Sequence, residues 1–344
     1  MTTSTVTVLN NGATFDADAG LCILDSGLAQ GIALPHQCRG ASCGQCKAHI
    51  ERGTVNHGWS FGLAITDEEK EQGYCLMCQA KPTSEHIVLR TVQPMGDEAR
   101  PVTELEGTII ALEQLTARVR RVVLRVPGAG ALFRAGSYAE LKLPGIHPDR
   151  VYSFSNSACR ADQLEFLVAL HPEGRASGYL HGPAKVGDAV DVKGPFGACR
   201  IPDGWGGVLG LAGGTGLAPV LSLFHAALDA GAADRFRLLF AVREDGDAFL
   251  LDRLMTLADA YPNFSYELVV AQGPSRLCGK TGLIDEYLYA NVDTLQGWRV
   301  VAGGSPGFVT ACATACAKLG VSADDISVDS FTDVSSAAAL EVNP

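Results

Sequence analysis

The feature that most constrains this chain is a run of three closely spaced cysteines followed by a fourth at a distance. Cys38, Cys43 and Cys46 form the pattern C-x4-C-x2-C, and Cys78 follows downstream. This is the plant-type spacing of the four thiolates around a [2Fe–2S] cluster. The sequence therefore predicts a metal centre bound by these four residues, and one-electron transfer as its chemistry.

Two glycines in the loop support this prediction. Gly40 and Gly44 allow the backbone to turn around a cluster at little steric cost, and such a turn can point successive N–H groups at sulfur. Zinc, the main alternative, favours two separate C-x2-C pairs. Cys75 lies close enough to compete as the fourth ligand, and His36 is expected to be a surface-loop histidine rather than a ligand.

Composition bounds the class of protein. The 344 residues allow two or three domains of ~100–200 residues each. A formal net charge of −11 argues against a nucleic-acid partner, because phosphates would be repelled. No apolar run approaches the ~20 residues that span a bilayer, and the N-terminus lacks a secretory signal. Eleven mostly scattered cysteines suggest a reducing cytoplasm rather than a disulfide framework.

The first third of the chain is predicted to be one α+β domain, residues 1–93. Val6–Leu9, Lys47–Glu51 and His86–Arg90 alternate as strands do, and Leu21–Gln30 has helical spacing. Strands folded over a helix, with the cysteine loop at one edge, indicate a β-grasp ferredoxin domain. The polar, proline-flanked residues 94–101 are predicted to be an interdomain linker.

After the linker, the sequence pattern changes from short β-rich runs to alternating strands and helices at about residue 201. Residues 102–200 contain short β-rich runs broken by glycine and proline, which predict a six-stranded antiparallel β-barrel. Residues 201–334 alternate apolar strands with helices, which predicts an α/β domain with a doubly wound parallel sheet. Residues 335–344 are predicted to be a flexible tail.

Two segments of the barrel region suit a flavin. In the segment from Arg150 to Ser155, an arginine can neutralise a pyrophosphate, Tyr152 can cover an isoalloxazine ring and Ser153 can donate a hydrogen bond near N5. A plain strand with a polar rim would show a similar composition. The segment Gly174–Ser177 enters a helix, where exposed N–H groups bind phosphate.

A glycine loop in the α/β region suits a dinucleotide. Gly213–Gly216 lies between a buried strand and a helix, where the backbone can approach a pyrophosphate. After the second strand, Glu244 and Asp245 stand where the adenosine ribose would lie, and two carboxylates would repel the 2′-phosphate of NADPH. The positive charge of Arg243 would instead attract that phosphate and so favour NADPH.

These motifs give the chain a resemblance, over nearly its whole length, to the reductase components of bacterial multicomponent aromatic ring-hydroxylating oxygenases. That family resembles a plant-type ferredoxin fused to a ferredoxin–NADP reductase-like module, and its motifs R-x-Y-S, G-x-x-S and G-G-T-G-x-A-P are all present. The C-terminal third looks most similar to naphthalene dioxygenase reductase. The N-terminal third, with Gly53–Asn56 and Gly62–Ala64, is nearer to xylene and toluene monooxygenase reductases.

The resemblance implies FAD as the flavin, NADH as the donor and Cys78, in Leu-x-Cys, as the fourth cluster ligand. It implies that FAD is bound by Arg150, Tyr152, Ser153, Phe154, Ser155, Leu170, Ala176, Ser177 and Phe331. It implies that NADH is bound by Gly214, Thr215, Gly216, Pro219, Arg243, Gly304, Ser305 and Pro306. Phe331 would gate nicotinamide access to the flavin, although simple packing would also account for an aromatic there.

One departure from the family pattern stands before the last helix. The family usually has Cys-Gly-Pro-Pro, whereas this chain has Gly303-Gly-Ser-Pro306. Hydride transfer depends on geometry more than on a thiol, so activity is expected to survive. Cys312 and Cys316, on the following helix, are expected to be small core residues rather than replacements.

The implied function is that of an NADH-dependent oxidoreductase. It would take hydride onto FAD and pass single electrons through the cluster to a terminal Rieske-type aromatic oxygenase, directly or through an intermediate ferredoxin. A diiron hydroxylase or monooxygenase, or a deoxysugar-forming enzyme, is the alternative partner. A ferredoxin fused to a degenerate reductase would only carry electrons, and the intact flavin motifs speak against it.

Overall fold

The computed structural model describes residues 3–41, 43–60, 64–93, 102–129, 133–157, 162–197, 199–204, 206–277 and 281–331. The chain divides into two compact units: residues 1–102 with 196–198 and 330–344, and residues 103–195 with 199–329. The predicted linker 94–101 and tail 335–344 lie outside the described residues, and the predicted domain boundaries stay predictions. Across the described ranges, no helix combines the length and apolar character that a membrane crossing requires.

The first unit contains a mixed five-stranded sheet with a helix packed on it, which confirms the α+β prediction. Its elements are β1 (Thr3–Val8), β2 (Thr14–Asp18), α1 (Ile23–Ala29), β3 (Lys47–Arg52), β4 (Val55–Asn56), α2 (Asp67–Glu71), β5 (Tyr74–Leu76), β6 (Lys81–Pro82) and β7 (His86–Thr91). The strand order is β2-β1-β7-β3-β5, and β4 pairs with β6. Alternate apolar residues of β1 and β7 face a core that also buries Ile23 and Leu24 of α1.

The short helix α2 was not anticipated from the sequence. Thr66 caps it, accepting a hydrogen bond from the Glu69 N–H, while Glu69 accepts one from the Thr66 N–H. This capping box satisfies donors that a helix start leaves unpaired. Glu69 also accepts a hydrogen bond from Nζ of Lys47 at 2.6 Å. Because Lys47 directly follows Cys46, α2 is fastened beside the cysteine loop.

The barrel prediction is confirmed in the second unit. Its elements are β8 (Thr103–Gln114), β9 (Val119–Arg125), β10 (Tyr138–Lys142), β11 (Arg150–Ser153), β12 (Gln163–Ala169), α3 (Arg175–His181) and β13 (Ala189–Phe196). The strand order is β11-β10-β13-β8-β9-β12. An antiparallel bridge between Phe154 and Phe166 brings the two edge strands together and nearly closes the barrel.

The parallel sheet is also confirmed, and its elements follow the barrel along the chain. They are β14 (Val208–Gly213), α4 (Leu217–Asp229), β15 (Phe236–Val242), α5 (Leu251–Ala260), β16 (Phe264–Val270), α6 (Ile284–Asn291), β17 (Arg299–Gly304), α7 (Pro306–Lys318) and β18 (Ile326–Ser330). The order is β16-β15-β14-β17-β18, and β14 runs parallel to both neighbours. The strand order reverses at β14, and ligands of such sheets bind at the carboxyl ends of the strands beside this switch point.

Candidate cluster, flavin and nucleotide sites

The four predicted cluster ligands lie together as two pairs of thiols. The hydrogen bond between Cys43 and Cys38, with burial, raises the pKa of the Cys43 thiol well above its ordinary value. Cys46 and Cys78 form the second pair, in which the hydrogen bond and burial raise the pKa of Cys46 in the same way. The Cys43 thiol also lies near enough to act electrostatically on Cys46, so the two pairs adjoin each other.

The backbone of the loop turns at Gly44, as predicted, but at Arg39 and Ala41 in place of Gly40. Arg39 (φ +51°), Ala41 (φ +56°) and Gly44 (φ +71°) adopt the left-handed conformation, whereas the sequence analysis assigned the turning to Gly40 and Gly44. Left-handed backbone at non-glycine residues costs ~1–2 kcal/mol each and is found where surrounding contacts hold it. Here it directs N–H groups at sulfur.

Backbone N–H groups reach two of the thiols. The Gly40 N–H donates to Sγ of Cys38 at 3.4 Å, and the Cys38 N–H donates to Sγ of Cys43 at 3.5 Å. Arg39 adds positive charge beside the loop and forms an ion pair with Asp25 of α1 at 2.8 Å. The backbone donors to Cys43 lower the pKa of its thiol and so oppose the burial and thiol–thiol hydrogen bond that raise it, and donors of this kind would stabilise thiolates, the form that binds iron.

This arrangement fits a two-iron cluster. Two adjoining pairs of thiols suit two irons better than a single zinc, which takes four ligands at one point. Cys75 is fully buried on β5 and lies near Cys78 without sharing the pairing that joins Cys78 to Cys46. We therefore propose Cys78 as the fourth ligand.

His36 is buried, contrary to the prediction of a surface-loop histidine. It is 8 % exposed, and its Nδ1 contacts the Leu34 carbonyl oxygen at 2.8 Å. Burial lowers the pKa of His36 to about 4. The difference arises because residues 34–37, between α1 and the cysteine loop, are all buried.

The flavin segment lies on β11 at the barrel edge. The guanidinium of Arg150 donates to the carbonyl oxygens of Pro148 at 2.7 Å and Asp149 at 3.4 Å. Both acceptors are neutral, so its positive charge is available to a pyrophosphate. Tyr152 is half-buried and packs edge-on against Phe166, and burial raises its pKa to about 12. A neutral ring of this kind can cover an isoalloxazine.

Ser153 has a partner that sequence reasoning missed. Its Oγ donates to Oδ2 of Asp329 on β18 at 2.8 Å, and Asp329 is 3 % exposed. The carboxylate fixes the hydroxyl of the residue we propose to lie nearest flavin N5. Phe331 follows β18 and is half-buried.

Two predicted flavin residues have other partners. Phe154 is fully buried in the barrel core between Phe133 and Phe166. Its ring is therefore not available to a cofactor, and only its backbone could contact FAD. Ser155 is also fully buried, and its Oγ donates to Oε1 of Glu165 at 2.8 Å. Consecutive residues of a strand point to opposite faces, so alternation alone does not bury both: Phe154 enters the barrel core, and Ser155 is buried against Glu165. Their role as FAD ligands stays a prediction that the contacts do not favour.

The predicted phosphate turn precedes α3. Oγ of Ser177 accepts from the His171 N–H at 3.1 Å and donates to the Gly174 carbonyl at 3.2 Å. A Cβ at Gly174 would lie 2.3 Å from Ser177 Oγ, so glycine is required there. Ala176 and Ser177 are buried, and Leu170 is half-buried at the end of β12. The two hydrogen bonds of Ser177 thus fix the conformation of the turn, which leaves the first N–H groups of α3 available to a phosphate.

The glycine loop lies at the carboxyl end of β14. Gly214 adopts φ +53° with open space around the position of a Cβ, and Thr215 is half-exposed beside it. Gly216 leads into α4, where Pro219 is buried. At the end of β17, Ser305 caps α7 by accepting from the Phe308 N–H at 3.4 Å, and Pro306 occupies the first turn. Sheets of this kind have a ligand crevice at the switch point, and the glycine loop, with open space at Gly214, fits a dinucleotide pyrophosphate there.

The ribose end of this crevice is acidic. Arg243 follows β15 and forms an ion pair with Asp247, at 3.1 Å from Nε to Oδ2. Glu244 is exposed, while Asp245 accepts from Oγ of Ser275 at 2.6 Å and from the Arg276 N–H at 2.8 Å. These hydrogen bonds lower the pKa of Asp245. Arg243 is thus paired with Asp247 and Glu244 stays exposed, while Arg276 adds a positive charge near Asp245.

Comparisons with known proteins agree with this geometry. Residues 6–83 match the 2Fe-2S iron-sulfur cluster binding domain, residues 106–201 the oxidoreductase FAD-binding domain and residues 211–314 the oxidoreductase NAD-binding domain.

Two relatives and one solved structure match this chain over nearly its whole length. The chain is 30% identical to the aromatic O-demethylase reductase subunit of Amycolatopsis, over 96% of this chain and 100% of that protein. It is 31% identical to the ferredoxin–NAD(P)(+) reductase component of the naphthalene 1,2-dioxygenase system of Pseudomonas putida, over 91% of this chain and 94% of that protein. The crystal structure of the Amycolatopsis cytochrome P450 reductase GcoB superposes with a TM-score of 0.80 at 29% identity, covering 96% of this chain and 99% of that one.

The three matched domains follow one another in the order expected from the sequence, and identity of this level extends over whole chains. The chain belongs to the family of reductase components of oxygenase systems, in which a [2Fe–2S] ferredoxin domain is joined to FAD-binding and NAD-binding domains.

Proposed function

We propose that this chain transfers reducing equivalents from NADH to the terminal component of an aromatic oxygenase system, with a Rieske-type oxygenase as the acceptor. The observation that carries the proposal is the presence, on one chain, of paired cluster thiols, a flavin edge with a fixed hydroxyl and a nucleotide crevice. When bound, FAD accepts hydride and releases electrons singly, and the cluster carries one electron at a time. The protein supplies positions and electrostatics.

The choice of NADH rests on the acidic ribose pocket. A 2′-phosphate would meet Glu244 and Asp245, while Arg243 is engaged by Asp247. Steady-state kinetics with both nucleotides tests this choice. A kcat/KM for NADH that exceeds that for NADPH by ~100-fold, or ~2.7 kcal/mol, is expected, and equal values would contradict it.

Direct transfer to the oxygenase is part of the proposal, because the chain carries its own cluster domain. The test is reconstitution of oxygenase turnover with purified components, with and without a separate ferredoxin. Product formation coupled to NADH oxidation in the absence of added ferredoxin is expected. Turnover that depends on added ferredoxin would contradict direct transfer, while NADH-driven cytochrome c reduction would show that the reductase itself works.

A cytochrome P450 is a second candidate acceptor. The specific observation in its favour is the TM-score of 0.80 with a protein described as a cytochrome P450 reductase, over nearly the whole of both chains. The reconstitution therefore includes a Rieske oxygenase, a diiron hydroxylase and a P450 as separate acceptors. The acceptor that gives coupled product formation at the lowest protein concentration identifies the partner class.

We also propose that the protein acts in the cytoplasm and binds no nucleic acid. All nine cysteines within the described ranges are free thiols, which suits a reducing compartment. The net charge of −11 disfavours a phosphate-rich partner. Fractionation of the native host and a gel-shift assay at low salt test these two statements.

A further inference from the structure

A buried carboxylate in the second unit binds donors from two parts of the fold. Glu165 on β12 is 5 % exposed. Its Oε2 accepts from Nε of Arg121 on β9 at 2.7 Å, and its Oε1 accepts from Nη1 of Arg253 on α5 at 2.7 Å and from Oγ of Ser155 at 2.8 Å. Arg121 and Ser155 belong to the barrel, whereas Arg253 belongs to the helix that follows β15. One side chain thus fastens the barrel to the nucleotide-binding sheet.

A second connection begins at the next residue. The carbonyl oxygen of Asn156 accepts from Oγ of Ser222 on α4 at 2.8 Å, and Oδ1 of Asn156 accepts from the Glu165 N–H at 3.0 Å. Ser155 and Ser222 are fully buried. The dipeptide Ser155-Asn156 is therefore held by Glu165 on one side and by α4 on the other.

This connection lies between the two proposed cofactor sites. Ser153, proposed to lie near flavin N5, is two residues before Ser155 on the same extended segment. Helix α4 begins at Leu217, directly after the glycine loop proposed for the NADH pyrophosphate. A displacement at Glu165 would therefore reach both the flavin edge and the nucleotide loop through short, hydrogen-bonded paths.

The backbone at the start of α5 holds Arg253 in a fixed position. Leu250, which precedes the helix, adopts φ +55°, an uncommon conformation for a non-glycine residue that persists only where the surroundings hold it. Arg253 follows within the first turn. Buried ion pairs contribute little net stability compared with well-packed apolar residues, so orientation is the better explanation for a charged group at this junction.

We infer that Glu165 is a positioning residue for hydride transfer, which acts through Arg253 and Ser155 to hold the nicotinamide site at reacting distance from the flavin site. The inference deepens the proposed function and rests on it. No contact of Glu165 with a cofactor is required, because small errors in the alignment of reacting groups reduce the rate strongly.

The test is the variant Arg253→Met, in the full chain loaded with FAD. We expect the rate constant of flavin reduction at saturating NADH, measured by stopped flow, to fall by ~10-fold or more. The NADH dissociation constant should stay within ~3-fold, since binding and chemistry are separable. Amide hydrogen exchange should become faster in residues 153–156 and 217–229, which is a readout independent of activity. Glu165→Gln should produce the same pattern.

The matched control is Glu267→Gln. Glu267 also accepts several hydrogen bonds, from Nη2 of Arg237 at 2.6 Å and from the Tyr287 hydroxyl at 2.7 Å, but all three residues lie in the nucleotide-binding sheet and its helix. This variant should lose stability with no slower flavin reduction. If Glu165→Gln does not fold, Arg253→Met decides alone.

Two results have distinct meanings. A wild-type rate of flavin reduction in Arg253→Met, with only a lowered melting temperature, would overturn the positioning role. A wild-type protein whose flavin is not bleached by NADH would instead overturn the proposed function. The two failures are thus distinguishable within one series of measurements.

Discussion

Gly216 and Gly303 face each other so closely that neither position can hold a side chain. A Cβ at Gly216 would lie 2.0 Å from the Gly303 carbonyl oxygen, and a Cβ at Gly303 would lie 2.4 Å from the Gly216 carbonyl oxygen. The glycine loop after β14 is thereby packed directly on the end of β17. Position 303, where the family usually has a cysteine, is thus a glycine in this chain because the backbone of Gly216 leaves no room for a side chain.

The first prediction is that adding a side chain here harms the protein. Gly303→Ala should destabilise the fold by ~1–3 kcal/mol, as overpacking does, and should raise the KM for NADH, because the loop must move. Gly303→Cys, which restores the family residue, should do the same rather than improve activity. Thermal unfolding and steady-state kinetics measure both effects.

The control for this prediction lies four residues along the chain. Gly307 has open space at its Cβ position and no left-handed φ, so Gly307→Ala should leave stability and the KM unchanged or improved. A Gly303→Ala variant as stable and as active as Gly307→Ala would refute the close-contact explanation.

The second prediction concerns the hydrogen bond from Ser153 to Asp329. Ser153→Ala should retain FAD but slow its reduction by NADH about tenfold, equivalent to ~1.4 kcal/mol. Asp329→Ala should slow it as well, because the hydroxyl loses its orientation. If Asp329 acts through Ser153, the double variant should be no slower than Ser153→Ala alone. Additive losses in stopped-flow rates would show that the two residues act independently.

Strong local periodicity accounts for what the sequence predicted well. The predicted strands Lys47–Glu51 and His86–Arg90 agree to within one residue with β3 and β7, because apolar alternation reports burial directly. Helices α5 and α6 were not assigned, although Leu254 and Leu257 of α5 and Ile284, Tyr287 and Leu288 of α6 recur at helical spacing and are buried.

Contacts between distant segments account for what was missed. Asp329 meets Ser153, and Arg253 meets Glu165, across long stretches of chain. No local pattern encodes such pairs. A charged residue within the buried run of β12 was the one signal for Glu165, because an ionised carboxylate is rarely buried without a partner.

The third prediction concerns nucleotide choice. Asp247→Asn should release Arg243 from its ion pair and leave its guanidinium free to bind a 2′-phosphate. The kcat/KM for NADPH is expected to rise ~10-fold, about 1.4 kcal/mol, while that for NADH stays nearly constant because NADH lacks the phosphate. The double variant Arg243→Met/Asp247→Asn should lose the gain. An equal rise for both nucleotides would point to a change unrelated to the phosphate.

The fourth prediction separates the two candidate cluster ligands. Cys78→Ser should abolish the characteristic [2Fe–2S] absorbance and electron paramagnetic resonance signal, because Cys46 loses its paired thiol. Cys75→Ser should keep both signals and cost stability alone, since Cys75 is fully buried in the core on β5. The reverse outcome, with the cluster lost only in Cys75→Ser, would reassign the fourth ligand.

The fifth prediction is a pH dependence of stability that arises at Glu165. Burial alone would raise the pKa of Glu165, but the charges of Arg253 and Arg121 outweigh it and lower the pKa below the ordinary value of 4.5. The folded state therefore holds the proton less tightly than the unfolded state. The stability from this ion pair is fully present above pH 4.5 and is lost as the pH falls through the lower folded pKa.

Glu165→Gln cannot titrate at this position, so it isolates the effect. The difference in free energy of unfolding between wild type and Glu165→Gln should be constant from pH 7 down to about pH 5 and should shrink as the pH falls further. Chemical denaturation of both proteins at a series of pH values measures it. A difference that stays constant to pH 3 would mean that the carboxylate charge contributes nothing to stability.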